Sequence, residues 1–284
     1  MPSRVHVIGA SGRSGAALCR SLLADGVECV PVVRDQAKWT ATGIGAAAHI
    51  ADLTDAVRLC DALAGATRIV TCAHARHTAA VLAVAPPDAR FVFLGSTRKF
   101  TRWPDAHGNG VLMGEAAFLA SGRSGVMLHP TMIYGAQGED NVQRLANLLQ
   151  RLPVVPLPGG GRALVQPIHQ GDVTRSIMAA LARNWPQPEV MVIAGPTALP
   201  YADFVREVAH AAGLKPPRIV NAPASLLMML APFTGFVPGI PTIGRDEIRR
   251  LTEDKAFSIG PMVNRLGVNP IPLATGLAAT FAPA

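Results

Sequence analysis

The chain of 284 residues is poor in aromatic side chains (5%) and poor in charge (16% Asp, Glu, Lys and Arg). With few rings available, Ala, Val and Leu must fill most of the core. The low charge beside 49% hydrophobic residues excludes a disordered chain. Only four cysteines occur: Cys19, Cys29, Cys60 and Cys72. None forms a C-x-x-C pair, and His74 near Cys72 has no further partners at metal-site spacing, so no metal is expected. The cysteines fall in apolar helix and strand patterns, as small buried residues of a reduced, cytoplasmic protein. The net charge is +7, but no run of five basic residues and no aromatic-rich basic stripe is present. Nucleic acid is therefore not an expected partner, and anionic small molecules suit the balance better. The most apolar stretch, Ile219 to Gly244, is broken by Pro223, Pro232, Pro238 and Pro241. It leaves no uninterrupted run near the ~20 residues that span a bilayer. A strand begins within five residues of Met1, which argues against a signal peptide. No internal repeat is evident.

What is present is concentrated at the start. Val5-His6-Val7-Ile8 feeds directly into Gly9-Ala10-Ser11-Gly12-Arg13-Ser14-Gly15, glycines spaced G-x-x-G-x-x-G, and a helical pattern follows. Such a turn brings backbone N–H groups and a helix N-terminus against a pyrophosphate. Gly9 would permit the tight turn, Gly12 the close approach of phosphate, and Gly15 the close packing of helix on strand. A nucleotide is expected at Gly9, Ser11, Gly12, Arg13, Ser14 and Gly15. The alternative is a tight turn that binds nothing.

Strand patterns at Arg4–Ile8, Glu28–Val33, Ala47–Ala51, Arg68–Cys72 and Arg90–Leu94 alternate with helical ones at Ser14–Asp25, Asp55–Ala64 and His77–Ala85. A helix over Val111–Ser121 and a strand over Gly125–His129 follow. Alternation of this kind predicts an α/β fold, a Rossmann-type doubly wound parallel sheet, with a smaller C-terminal lobe. Residues 1–135 read as the nucleotide domain. Residues 136–284 read as mixed segments, part returning to that domain and part forming a lobe for substrate or partner. Further elements are expected at Asn141–Arg151, Gly171–Arg183, Glu189–Ala194, Tyr201–Ala212 and Arg245–Glu253.

The second strand ends Val32-Val33-Arg34-Asp35. An acid at such a strand end bonds a free ribose 2′-hydroxyl, whereas an arginine accommodates a 2′-phosphate. Arg34 comes first, and Arg13 adds charge at the same corner, so NADP(H) is favoured over NAD(H). In the opposing reading Arg34 is solvated and Asp35 turns inward. Asp52 and Leu53 are placed to meet the adenine, with Asp52 also suited to the start of a helix near Thr54.

The segments Gly9 to Gly15, Ala51-Asp52-Leu53-Thr54, Phe93-Leu94-Gly95-Ser96-Thr97 and His129-Pro130-Thr131-Met132-Ile133-Tyr134-Gly135 resemble the short-chain dehydrogenase/reductase superfamily, in particular its extended and atypical members. Gln166 to Val173 and Leu266-Gly267-Val268-Asn269-Pro270 resemble its later motifs. The resemblance implies that Cys72, Ala73, His74, Arg76, Gly95, Ser96 and the stretch His129, Pro130, Thr131, Met132, Ile133 line the cofactor. It also implies that Ser96 assists catalysis. Active members use a tyrosine with a lysine four residues later, and here neither tyrosine, Tyr134 or Tyr201, has one. If Glu115 matches the acid usual in that helix, the tyrosine position holds His107 and the lysine position Val111. Two kinds of function follow. One is an NAD(P)-dependent oxidoreductase or epimerase-like enzyme, with His107 or Lys99 beside Ser96 as substitute proton carriers. The other is a silent NADP(H)-binding subunit, assembly factor or redox sensor, as the resemblance to the Rossmann-type accessory subunit of complex I and to NmrA-like proteins implies.

Weaker candidates remain. The loop Arg98-Lys99-Phe100-Thr101-Arg102 suits an anion or is a solvated basic loop. His129 reads as structural more readily than catalytic. His169 and Asp172 read as groups that cap and orient a helix, and Glu139 and Asp140 as complements to a helix dipole. Ala224 to Leu230 reads as lobe core or an apolar pocket, with docking to a partner or membrane surface as the alternative.

Overall fold

The computed structural model describes residues 3–136, 141–236 and 244–282. In chain order the first half runs β1 (Arg4–Ile8), α1 (Arg13–Ala24), β2 (Glu28–Val33), α2 (Gln36–Thr40), β3 (His49–Ile50), α3 (Ala56–Ala62), β4 (Arg68–Thr71), α4 (Thr78–Val84), β5 (Arg90–Leu94), α5 (Ala106–Ala120) and β6 (Gly125–Pro130). The second half runs β7 (Ile133–Tyr134), α6 (Asn141–Leu149), β8 (Val154–Pro158), β9 (Leu164–Val165), β10 (Ile168–His169), α7 (Gln170–Leu181), β11 (Pro188–Ile193), β12 (Leu199–Pro200), α8 (Tyr201–Ala211), β13 (Arg218–Ala222), α9 (Ala224–Leu230), α10 (Arg245–Arg250) and α11 (Leu273–Phe281).

Seven strands form one parallel sheet in the order β11-β6-β5-β4-β1-β2-β3. The Rossmann-type doubly wound sheet expected from the alternation is therefore the architecture observed. The chain winds outward from β1 to β3, then crosses back to β4 on the other side of β1. That reversal opens a crevice at the carboxyl ends of β1 and β4, where such sheets bind ligands.

Strand side chains alternate between two cores. Val5, Val7, Val70, Val92 and Leu94 face α1 and α7, meeting Leu18, Leu22, Val173 and Ile177. Ile8, Ile69, Phe91 and Phe93 face the other way, meeting Leu59, Val81, Val111 and Phe118. Burial on both faces is why these strands read as nearly continuous apolar runs. A third core joins Val142 and Leu149 of α6, Leu157 of β8, Phe204, Val205 and Val208 of α8, and Leu277 of α11. Among the described residues no helix is long and apolar enough to cross a membrane.

Three expectations need correction. Helix α5 begins at Ala106, five residues before Val111, and Asp105 caps it by accepting the Gly108 amide at 2.7 Å. Gly108 and Gly110 hide the helical pattern, yet they are what lets α5 dock closely. An added Cβ would lie 2.9 Å from the Arg98 carbonyl oxygen at Gly108, and 2.8 Å from the His74 ring at Gly110. Cys60 is exposed, while Cys19 and Cys29 are buried. The amphipathic α3 turns its buried side, Leu59 and Ala62, inward and leaves Cys60 outside. Helix α9 holds no fully buried residue, and Leu226, Met229 and Leu230 are each more than two-fifths exposed. Glu139, Asp140, Pro238 and Pro241 lie outside the described residues.

A tight backbone approach lies under α1. A Cβ at Gly15 would fall 2.8 Å from the Ala10 Cα and closer still to the Gly9 carbonyl oxygen. Gly15→Val should therefore lower stability by about 1–3 kcal/mol. Urea midpoints of the two proteins check this, and an unchanged midpoint would contradict the close packing of turn and helix.

Candidate nucleotide site and active-site mouth

The three glycines differ in their surroundings. Gly9 has φ +75°, in the left-handed region, and its amide donates to the Val32 carbonyl at 2.9 Å. A Cβ there would meet the Ala73 nitrogen at 2.9 Å, so Gly9 lets the loop after β4 close on the turn. Gly12 is extended (φ −77°, ψ 167°) and exposed, and a Cβ would meet only the Gly9 oxygen at 3.2 Å. The space before Gly12 is open, as a phosphate requires.

Gly12 is also the N-cap of α1 and offers no side-chain acceptor. Helices α2, α3, α5 and α7 are capped by Asp35, Asp55, Asp105 and His169 respectively. The first-turn amides of α1 thus have no side chain bound to them through the cap, and a pyrophosphate fits that gap. Ser14 Oγ donates to Gln170 Oε1 at 3.1 Å and fastens the turn to the start of α7.

At the end of β2, Arg34 is exposed. Asp35 does not turn toward a ribose; its carboxylate accepts the Lys38 amide at 3.1 Å and caps α2, a short helix the sequence pattern did not reveal. Asp52 accepts from the Thr54 amide at 2.9 Å and the Thr54 hydroxyl at 2.7 Å. These bonds hold its carboxyl below the usual range. The cap of the following helix is Asp55, three residues on, rather than Asp52. Leu53 beside it is half-buried.

The loops after β4 and β5 form the other end of the crevice. His74 Nδ1 accepts the Arg76 amide at 3.1 Å, and its Nε2 lies 3.1 Å from His107 Nδ1 with the rings edge-to-face. Burial, then the neighbouring His107 and Arg76, push the His74 pKa down to about 4. Burial and Arg98 lower that of His107 as well. Both imidazoles are neutral at pH 7. Arg98 Nε donates to Asp105 Oδ2 at 2.7 Å, beside the α5 cap.

Behind this mouth lies a buried polar chain that the sequence did not disclose. The Ser96 amide donates to His129 Nδ1 at 3.1 Å. This leaves the proton of the neutral ring on Nε2, which sits 2.6 Å from Glu115 Oε2 without in-line hydrogen-bond geometry. The same carboxylate oxygen binds the Lys99 ammonium, whose side chain is 8% exposed. The close approach of His129 requires Gly95, where any Cβ would overlap the ring. Ser96 Oγ accepts the Arg98 amide at 3.1 Å, and Thr97 Oγ1 donates to the Pro130 carbonyl at 3.2 Å. The loop 98–102 is therefore not a solvated basic loop, since Lys99, Arg98 and Arg102 all have partners. His129 is 1% exposed and holds the backbone at Ser96. Thr131 bonds β11 through its amide at 3.0 Å, and the Met132 carbonyl accepts from Ile168 at 2.9 Å. Cys72 and Ala73 are half-buried next to Gly9, and Ile133 belongs to β7.

Neither tyrosine is prepared for proton transfer. Burial raises the Tyr134 phenol well above its ordinary value, and it raises that of Tyr201 to about 12. His169 caps α7 through Nδ1, as expected, whereas buried Asp172 accepts the Ile271 amide at 3.0 Å and binds Arg175.

Comparison with known proteins matches this geometry. Residues 9–107 match the family model described as NAD(P)H-binding. A search of the curated proteins found no match. Among solved structures, the chain is similar to an NADPH-dependent quinone oxidoreductase from Escherichia coli complexed with NADPH. The TM-score is 0.76 at 17% identity, covering 98% of this chain and 100% of that one. A UDP-glucose 4-epimerase from Thermotoga maritima with UDP-glucose gives 0.74 at 14% identity, covering 98% and 97%. A UDP-glucuronic acid 4-epimerase from Bacillus cereus, in complex with UDP-glucuronic acid and NAD, gives 0.74 at 15%, covering 98% of each. At such identities the likeness speaks for the fold. Residues 9–107 thus carry an NAD(P)H-binding domain, in a chain that shares its fold with these proteins.

The two deeply lowered histidines give a pH dependence. His74 and His129 are pushed to about 4 when folded, chiefly by burial. Both bind a proton near pH 6.5 once unfolded. Above that value they contribute nothing; as pH falls from 6.5 toward 4, the unfolded chain gains protons first and stability declines. Urea midpoints at pH 7.5 and 5 should show the loss. His129→Asn should flatten the slope if it folds, and a slope of opposite sign would contradict these environments.

Proposed function

We propose that the chain binds NADP(H) at the Gly9–Gly15 turn and acts as an atypical oxidoreductase whose proton is handled by Ser96 and His107. The observation that carries the reading is the open, uncapped start of α1 at Gly12, with Arg34 exposed beside it and Asp35 occupied at the α2 cap. Arg34 is free to meet a 2′-phosphate bidentately. Proteins of this fold bind NAD in one case and NADPH in another, so the preference rests on Arg34.

When bound, the nicotinamide supplies or accepts hydride. The chain's residues must then position the substrate oxygen and move its proton. In this reading the Ser96 hydroxyl, held by the Arg98 amide, donates to the substrate oxygen. In the oxidising direction neutral His107 accepts the proton of the substrate hydroxyl and shares it with His74 at 3.1 Å; in the reducing direction the same proton returns to the substrate oxygen. Lys99 stays with Glu115 and His129 and fixes the loop that presents Ser96. Residues 1–135 form the nucleotide domain, and the lobe within 136–284 closes the substrate side. Four free thiols support a reducing, cytoplasmic setting.

The lack of a tyrosine–lysine pair supports a second reading, a cofactor-binding subunit or redox sensor without turnover. NADPH consumption with a panel of quinones and carbonyl compounds separates the two. The enzyme reading expects turnover that Ser96→Ala lowers at least tenfold. In the oxidising direction its acid limb should lie below pH 6.5 and vanish in His107→Gln. Absence of turnover, with large partners co-purifying, would favour the second.

The cofactor assignment has its own test. Arg34→Ala should weaken NADPH binding by about 1.5–3 kcal/mol, the range for a charged hydrogen bond, and leave NADH binding unchanged. Calorimetric titration checks this, and an unaltered NADPH-to-NADH ratio would refute the role of Arg34.

A further inference from the structure

Cations from three separate parts of the chain converge beside His107. Arg76 follows β4, Arg98 follows β5, and Arg250 with Lys255 comes from the end of α10 and the segment after it. These parts are fastened together. Glu253, 5% exposed, accepts the Thr101 hydroxyl at 2.9 Å and the Arg102 amide at 2.6 Å. Arg102 Nη2 donates to the Thr252 carbonyl at 3.1 Å, and Phe100 meets Phe257 at 5.5 Å between ring centres. Lys255 Nζ donates to the Arg250 carbonyl at 2.8 Å.

The neighbouring carboxylates make their direct contacts with other groups. Asp105 binds Arg98 and the Gly108 amide; Asp246 binds Arg249; Glu247 accepts the Gly244 amide; Asp254 accepts the Leu164 amide. Glu253 is taken by the Thr101 hydroxyl and the Arg102 amide. Among the described residues, neither the Arg250 guanidinium nor the Lys255 ammonium has a carboxylate at ion-pair distance, although both are half-buried. Burial and then Arg98 lower the pKa of Arg250 against the opposing pull of Glu247, Asp105 and Asp246; burial, Arg250 and Arg98 lower that of Lys255 against Glu253. The bonds of Glu253 and Arg102 hold the segment after α10 against the loop after β5, and the pKa of His107 is lowered by burial and by Arg98, Arg76 and Arg250 against the pull of Asp105. Half-buried positive charge whose neighbouring carboxylates all act from beyond ion-pair distance is incompletely compensated, and an oxyanion placed in direct contact would stabilise it.

We propose that Arg250, Lys255 and Arg98 form a recognition site for the acid group of the substrate, a carboxylate or phosphate carried near the carbon that reacts. The proposal rests on the enzyme reading above and gives that site its substrate class. The lobe then contributes charge as well as closure. Arg98, paired to Asp105, and Arg250 hold the oxyanion from opposite sides, and the reacting oxygen is left to Ser96 and His107.

Inorganic phosphate and malonate, titrated calorimetrically into the NADPH-saturated protein, test this directly. The proposal expects saturable binding of at least one probe. Arg250→Gln and Lys255→Gln should each weaken it tenfold or more, with NADPH affinity shifted less than twofold. Arg250→Lys, which keeps the charge, should bind within about threefold of wild type and shows that position 250 tolerates change. No saturable binding to the loaded protein would overturn the proposal, as would binding unaltered in both glutamine variants. If Arg250→Gln weakened NADPH itself tenfold, the cations would belong to the cofactor's own phosphates and the substrate site would be refuted. If NADPH failed to bind at all, the nucleotide reading would fall. The same titration into unloaded protein, weakened by Arg250→Gln, would then still support the oxyanion site.

Discussion

The constraint on which the rest of the structure depends is the contact of backbone with backbone at the first βα turn. Gly9 turns through positive φ against the loop after β4, and Gly15 seats α1 on the turn with no room for a methyl group. Those two approaches set the height of α1 above the sheet. They also hold the Gly12 amide region at the carboxyl edge of β1, beside the crevice that the strand order opens. Ser14 then fastens the turn to α7, so the nucleotide end is braced from both halves of the chain. The N-terminus of α1, at the glycine turn where the topology calls for an anion, has no side-chain cap.

A second constraint organises the opposite end of the crevice. Glu115 of α5 holds Lys99 from the loop after β5 and lies against His129 of β6, and His129 in turn accepts the Ser96 amide. A carboxylate at this depth is tolerable only because a full positive charge meets it. The loop that presents Ser96 is thereby pinned from beneath, while Glu253 pins its far end to the lobe. What was legible as a basic loop is a strap between α5 and the segment after α10, and its charges are mostly spent internally. Among the described residues, Arg250 and Lys255 approach this strap without a carboxylate at ion-pair distance.

The sheet was legible because its strands are buried on both faces, so Val5–Ile8, Cys29–Val33 and Phe91–Leu94 read as apolar runs with turn residues between them. The glycine turn was legible because its chemistry is local. The start of α5 was not: Gly108 and Gly110 are poor helix formers, retained where the helix touches Arg98 and His74, contacts no local pattern encodes. The Lys99–Glu115–His129 chain escaped for a related reason. Its members are 16 and 14 residues apart in sequence, on three elements, and only the closed fold brings them together. The α9 run shows the limit of composition, because hydrophobicity alone does not say which apolar helix finds a partner within its own chain.

The central claim is that the Gly12 region is a phosphate site and not merely a turn. Its most direct test compares NADPH titration of the wild-type protein with that of Gly12→Val. Extended backbone at position 12, where an added Cβ would meet only the Gly9 carbonyl oxygen at 3.2 Å, should let valine fold with a modestly lowered melting temperature. The side chain would then occupy the volume assigned to the pyrophosphate. The account predicts NADPH binding to the wild type and at least a hundredfold loss in the variant. Equal binding by a folded Gly12→Val protein would contradict it.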